Sequence, residues 1–198
     1  MPEEIKKFIE YFSKVPPLGP RQAARLAFYL SDMPKQNLKK LVEVISDLTN
    51  LDKCERCFFI KKQGEKYCNI CGDESREIKN VAIVEKMTDL ITFEKMKRFN
   101  GQYLVLGKLL EKGVLDEETR KRLNKLKERI KKEMGGAANE IIIAIGPTAV
   151  GDFTAHIIKE EFKNLAKSIT RLGMGLPSGA DLEFTDETTL LVSFEKRE

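Results

Sequence analysis

At 198 residues, with 41% hydrophobic and 33% charged side chains, the chain suits one ordinary domain or two small ones, and its composition is globular rather than low-complexity. No apolar run approaches the ~20 residues that cross a bilayer, and the amino-terminal Met1-Pro-Glu-Glu-Ile-Lys-Lys lacks the charge order and apolar centre of a signal peptide. A net charge of +4 permits a polyanionic partner without requiring one.

Periodicity predicts three helices in the first 50 residues. Glu3 to Ser13 sets Ile5, Phe8, Ile9 and Phe12 on one face. Val15-Pro-Pro-Leu-Gly-Pro20 breaks that helix, and a second runs from about Arg21 to Leu30 with Ala23, Leu26, Ala27 and Leu30 inward. Leu38, Leu41, Val42, Ile45 and Leu48 mark a third. The turn before the second helix carries a possible function. Amides around Gly19 and the start of that helix can face a phosphate, with Arg21 and Arg25 four residues apart on the same helix. Such contacts grip a duplex without reading bases. An ordinary helix–turn–helix connection with solvated arginines accounts for the segment equally well.

Two CxxC pairs follow, Cys54/Cys57 and Cys68/Cys71, and the chain has no other cysteine. Four thiolates at this spacing can surround one tetrahedral Zn²⁺ and leave no open coordination position, so the site reads as structural. Disulfides need an oxidising compartment, and unrelated buried thiols do not produce so regular a spacing. The intervening Phe58 to Tyr67 reads as a short hairpin closed by metal, with too few apolar residues to fold alone. Metal-held cysteines point to a reducing cytoplasm.

From Asn80 onward, apolar runs alternate with helical patterns. Strands are predicted at Val81 to Val84, Tyr103 to Leu106, Glu140 to Ile145 and from Ser168, with a last one at Thr188 to Phe194. Helices are predicted at Asp89 to Arg98, Glu117 to Met134 and Asp152 to Phe162. The fold class is therefore α/β: a mostly parallel sheet with flanking helices, behind a helical unit and a cysteine knuckle. Glu85 ends a buried strand and Asp89 follows four residues later, so the two can share a hydrated Mg²⁺; alternatively Asp89 caps a helix and Glu85 is solvated. The turn Ile145-Gly-Pro-Thr-Ala-Val-Gly-Asp152 offers Asp152 as its one carboxylate, where metal-dependent phosphotransfer needs a cluster. The basic face of Glu117 to Met134 reads first as a solvated helix surface, and His156, the single histidine, as an ordinary helix residue.

Taken in order, the Gly/Pro turn between helices, the four-cysteine knuckle, the Val84-Glu-x-x-x-Asp89 strand end, the Ala144-x-x-Pro-Thr-x-x-Gly-Asp-x-Thr-Ala155 turn and the tail Arg171-Leu-Gly-Met-Gly-Leu-Pro-Ser-Gly-Ala-Asp-Leu-Glu183 resemble the RecR recombination mediators. The resemblance implies a helix-hairpin-helix unit over 1–52, a zinc finger over 53–72, a Toprim-like domain over 79–166 and a carboxy-terminal segment over 167–198. It also implies no catalytic activity of its own, a ring-like homotetramer able to encircle DNA, and RecO and RecF as partners in loading RecA onto gapped DNA in the bacterial cytoplasm. The family's DNA-contacting positions fall on Arg21 and Arg25, beside Gly19. Its acidic partner-binding patch falls on Glu85, Asp89 and Asp152. A Mg²⁺-dependent Toprim nuclease or primase-like enzyme is the alternative. The chain departs from the family at Pro17, in place of a glycine, at Gly146 and Val150, in place of Asn and Glu, and in the stretch after Leu106.

Overall fold

Proline and glycine set the boundaries of the first helices. Helix α1 (Glu3–Phe12) ends ahead of Pro16 and Pro17, and α2 (Pro20–Asp32) begins on Pro20, whose missing amide and fixed φ suit a first helical position. Helix α3 (Lys35–Asp47) starts just after Pro34. A 3-10 turn at Leu48–Asn50 leads into strand β1 (Leu51–Lys53), which pairs with β2 (Ile60–Lys62) in a two-stranded ladder. In this computed structural model, residues 1–109, 114–173, 175–195 and 197 are described. They divide into two compact units, Met1–Leu51 and Asp52–Glu198. In the first unit, Phe8 stacks on Phe12 with ring centroids 4.0 Å apart, and α2 buries Ala23 and Ala27.

The second unit is built on four parallel strands, β3 (Glu77–Val84), β4 (Gly101–Val105), β5 (Ala138–Ala144) and β6 (Ala166–Arg171), in the order β4-β3-β5-β6. Val81 pairs with Gln102 on one side and Ile141 on the other, and Ile141 pairs with Ile169. Val81, Ala82, Ile83 and Val84 are all fully buried, so β3 needs cover on both faces, the usual condition of a parallel sheet. Residue parity decides which cover each side chain meets. Val81, Ile83, Leu104, Ile141 and Ile143 share one core with Leu123, Leu126 and Ile130 of α5 (Glu117–Glu133) and with Ile158 and Phe162 of α6 (Ala149–Phe162). Ala82, Val84, Tyr103 and Val105 share the other with the four cysteines and with Leu90 of α4 (Met87–Lys95). The predicted α/β class, with a parallel sheet and flanking helices, is what forms.

Three local expectations change. The stretch between the CxxC pairs is not a hairpin in itself: β2 pairs with β1, which precedes the first CxxC. The last predicted strand is helix α7 (Glu187–Glu195). Its Thr188-Thr189-Leu-Leu-Val pattern favours a strand, but the Asp186 carboxylate accepts from the Thr189 backbone N–H at 2.9 Å and from its hydroxyl at 2.7 Å, which caps a helix start. Helix α6 begins at Ala149 rather than Asp152, because Thr148 Oγ1 accepts from the Gly151 amide at 3.0 Å. A Cβ on Gly151 would stand 2.1 Å from the Gly146 carbonyl oxygen, so this turn admits only glycine there. Part of the stretch after Leu106 (110–113) and Met174 of the tail lie outside the described residues.

Candidate metal centre, acidic cleft and nucleic-acid interface

Cys54, Cys57, Cys68 and Cys71 are buried free thiols whose sulfur atoms lie within 4.8 Å of one another. Tetrahedral Zn–S bonds of about 2.3 Å separate sulfurs by roughly 3.8 Å, so the cage fits one such ion. Cys57 and Cys68 Sγ are 3.5 Å apart. Backbone amides aim at the sulfurs: Phe59 donates to Cys57 Sγ at 3.4 Å, and Cys68 and Cys71 donate to Cys54 and Cys68 Sγ at 3.5 Å. Such donors stabilise thiolates. Hydrogen bonds from Cys57, then Cys68 and Cys71, drive the Cys54 thiol far below its ordinary pKa, while the reciprocal bonds with Cys54 and Cys68 drive Cys57 far above it. Four sulfurs this close cannot all ionise without a cation among them. Among the described residues the cysteines form the one group of three or more His, Cys, Asp or Glu ligands gathered this tightly.

The knuckle is fastened to the sheet. The Val105 amide donates to the Cys57 carbonyl at 2.8 Å, so the outer strand β4 bonds to the metal loop rather than to water. Arg76, just past the second CxxC, donates to Glu94 of α4 at 3.0 Å and to the Gly101 carbonyl at 2.9 Å. The hydroxyl of Tyr103, buried in β4, donates to the same Glu94 oxygen at 2.6 Å. Burial first, then Glu94, holds the Tyr103 phenol above its ordinary pKa.

On the same sheet, a cleft of about 940 Å³ opens at the carboxyl ends of the strands, where α/β proteins present ligand-contacting loops. Glu85, Asp89 and Asp152 all line it, together with Gly146, Pro147 and Arg171. Each carboxylate meets a donor from its own chain. Lys86 Nζ is 3.3 Å from Glu85 Oε1, and the Lys86 amide donates to Asp89 Oδ2 at 2.9 Å, closing the start of α4. Arg171, the last residue of β6, donates to Asp152 Oδ1 at 2.6 Å. Lys86 and Arg171 carry no role in the sequence reading. Their signal was available in the order of strands, since parallel pairing brings every strand's carboxyl end to one edge. His156 is exposed on α6.

In the amino-terminal unit, Arg21 and Arg25 are exposed on α2. The Gly19 amide already donates to Gln22 Oε1 at 3.2 Å, and Pro20 has none. The first-turn donors of α2 that remain are those of Arg21 and Gln22. The turn thus offers fewer amides than its glycine suggests, and its positive charge rests on side chains.

Residues 79–173 match the family model of the Toprim domain, and residues 175–198 that of the RecR carboxy-terminal region. The chain is 34% identical over 196 residues to the recombination protein RecR of Paenarthrobacter aurescens, spanning 98% of this chain and 95% of the relative. It is 33% identical over 196 residues to the recombination protein RecR of Gloeobacter violaceus, spanning 98% and 96%. No helix among the described residues is long and apolar enough to cross a membrane. Similarity of this extent joins the helical unit, the cysteine cage and the Toprim sheet in one lineage: the chain belongs to the RecR family.

Proposed function

We propose that this protein is a non-enzymatic, DNA-binding recombination mediator in DNA repair, working in the bacterial cytoplasm at the nucleoid as a ring-like homotetramer with RecO and RecF to promote RecA loading on gapped DNA. Family membership over nearly the whole chain carries this reading. The cleft supports it. Glu85, Asp89 and Asp152 meet Lys86, the Lys86 amide and Arg171, whereas metal-dependent strand cleavage needs carboxylates converging on cations. Assembly is supported by apolar surface that the single chain leaves exposed: Val42, Val44, Ile45 and Leu48 around α3, and Phe184, Leu191 and Phe194 near the carboxyl terminus. Arg21 and Arg25 are the DNA contacts in this reading, beside Gly19, and the cleft carboxylates are the partner contact. The caged ion is Zn²⁺, the usual match to four thiolates.

Light scattering with and without duplex DNA, at rising salt, tests assembly and binding together. A tetramer that takes up DNA and loses it steeply with salt is expected. A salt-indifferent monomer that ignores DNA would sink the proposal. An open cleft lined by four carboxylates, Glu85, Asp89, Asp152 and Asp186, keeps a Toprim nuclease or primase-like activity as the second reading. Turnover of nicked or gapped DNA with Mg²⁺ or Mn²⁺, abolished in Glu85→Ala, would favour it instead.

A further inference from the structure

Arg129 of α5 is 6% exposed, and its surroundings are incomplete. One terminal nitrogen donates to the Arg56 carbonyl, inside the first CxxC, at 3.4 Å. Its Nε and Nη2 are buried without a hydrogen-bond partner. Arg56 sits beside it: its guanidinium lies 4.0 Å from the Tyr67 ring centroid, donates to the Cys71 carbonyl at 3.3 Å and pairs with Glu133 at 2.8 Å. Arg56 therefore takes the Glu133 carboxylate, and Arg129 has no ion pair of its own among the described residues. Burying an unmatched cation costs several kcal/mol, and native proteins avoid it. Burial depresses the Arg129 pKa, and the charges that oppose this are those of Cys71, then Glu133 and, more weakly, Cys57.

We propose that Arg129, with Arg56 beside it, is the counter-cation of the metal-bound cysteine cage and fixes how tightly the metal is held. The inference rests on the reading that the cage binds a divalent ion. Two positive charges against four thiolates leave the centre with two negative ones; Arg56 is already paired with Glu133, and the buried guanidinium of Arg129 on α5 can offset one of them. The unpartnered N–H groups of Arg129 mark a buried positive charge beside the knuckle that no hydrogen bond answers, and a negatively charged sulfur cluster would offset it through space. Arg129 is a positioning residue: it holds the charge of the centre and ties α5 to the knuckle, without being a metal ligand.

The test compares purified full-length protein with Arg129→Met, Arg129→Gln and Arg129→Lys, after zinc content is measured by mass spectrometry. Zinc release to a chromogenic chelator is followed in time, and the thiolate-to-metal charge-transfer band is recorded after Co²⁺ exchange. Both neutral variants are expected to release zinc about 10-fold faster or more, with a shifted band, and the lysine variant to stay near wild type. Leu126→Ala, a cavity on the same helix away from the cage, serves as the stability control and is expected to release zinc at the wild-type rate. Wild-type release by Arg129→Gln would overturn the inference, because an uncharged donor would then suffice. Release by Arg129→Lys as fast as by the neutral variants would overturn it too. A wild-type chain that holds no metal would overturn the metal reading itself, an outcome distinct from zinc retained equally by all variants.

Discussion

Glu94 accepts three hydrogen bonds from two side chains. Arg76 reaches both of its oxygens, the Tyr103 hydroxyl reaches one of them, and Arg76 also holds the Gly101 carbonyl. Removing one partner from such a network strands the others, which costs more than the net worth of the pair. Glu94→Ala is therefore expected to lower stability by about 3 kcal/mol, read from urea unfolding with the metal site loaded. Exposed charges behave differently. Arg171 and Asp152 form a close pair, but Asp152 is 56% exposed, so Arg171→Ala is expected to change stability by less than about 1 kcal/mol in the same assay. In the proposed reading, Arg21 and Arg25 act on DNA. The double alanine variant is expected to weaken binding to all sequences alike and to flatten the log affinity against log salt slope by roughly 2, by filter binding across a salt series. The exposed placement of both arginines on α2 was legible in the sequence, because a spacing of four sets them on one helical face. The partners of Glu94 were not, because Arg76 lies in the loop before β3, Glu94 on α4 and Tyr103 on β4, and only the folded sheet brings them together.

Elements whose side chains repeat with a strong period were the readable ones. Helix α5 was legible almost to the residue: Leu123, Leu126 and Ile130 recur at helical spacing, and Asp116 caps the first turn by accepting from the Thr119 amide at 2.6 Å. Leu126 is 1% exposed between the sheet and α6, so Leu126→Ala is expected to cost about 3 kcal/mol, measured by thermal or urea unfolding of the metal-loaded protein. Helix α7 was illegible for the opposite reason. Its apolar residues remain largely exposed in the single chain, so no burial pattern exists to be read, and a side-chain cap at Asp186 decides the outcome. The knuckle was legible in its ligands but not in its pairing. CxxC spacing fixes where sulfurs can converge, and says nothing of which flanking residues form a ladder.

At the scale of the molecule, the two units differ in how they are held. The amino-terminal unit buries only Ala23 and Ala27 fully, whereas Asp52–Glu198 has a sheet covered on both faces and a metal cage within one of its cores. Chelation is expected to destabilise the second unit selectively. In hydrogen exchange with and without chelator, the Val105 amide should exchange at least about tenfold faster in the stripped protein, while amides in the middle of α2 change little. Equal acceleration in both units would contradict this division. The order of parts along the chain was readable from sequence, because each part carries its own signature. The joining of the knuckle to the sheet was not, because it depends on a main-chain bond that any residue types can make.

That bond between Val105 and the Cys57 carbonyl has an outcome for oxidative stress. A sheet border is safe while its amides are engaged, and here the guard is a loop that keeps its shape through four oxidisable sulfurs. Oxidant that ejects the ion bares the flank of β4, a template onto which another copy can add its own strand. Damage to a few sulfur atoms would then be read out as self-association, and a thiol reductant supplied with fresh zinc should reverse it only until such contacts have set.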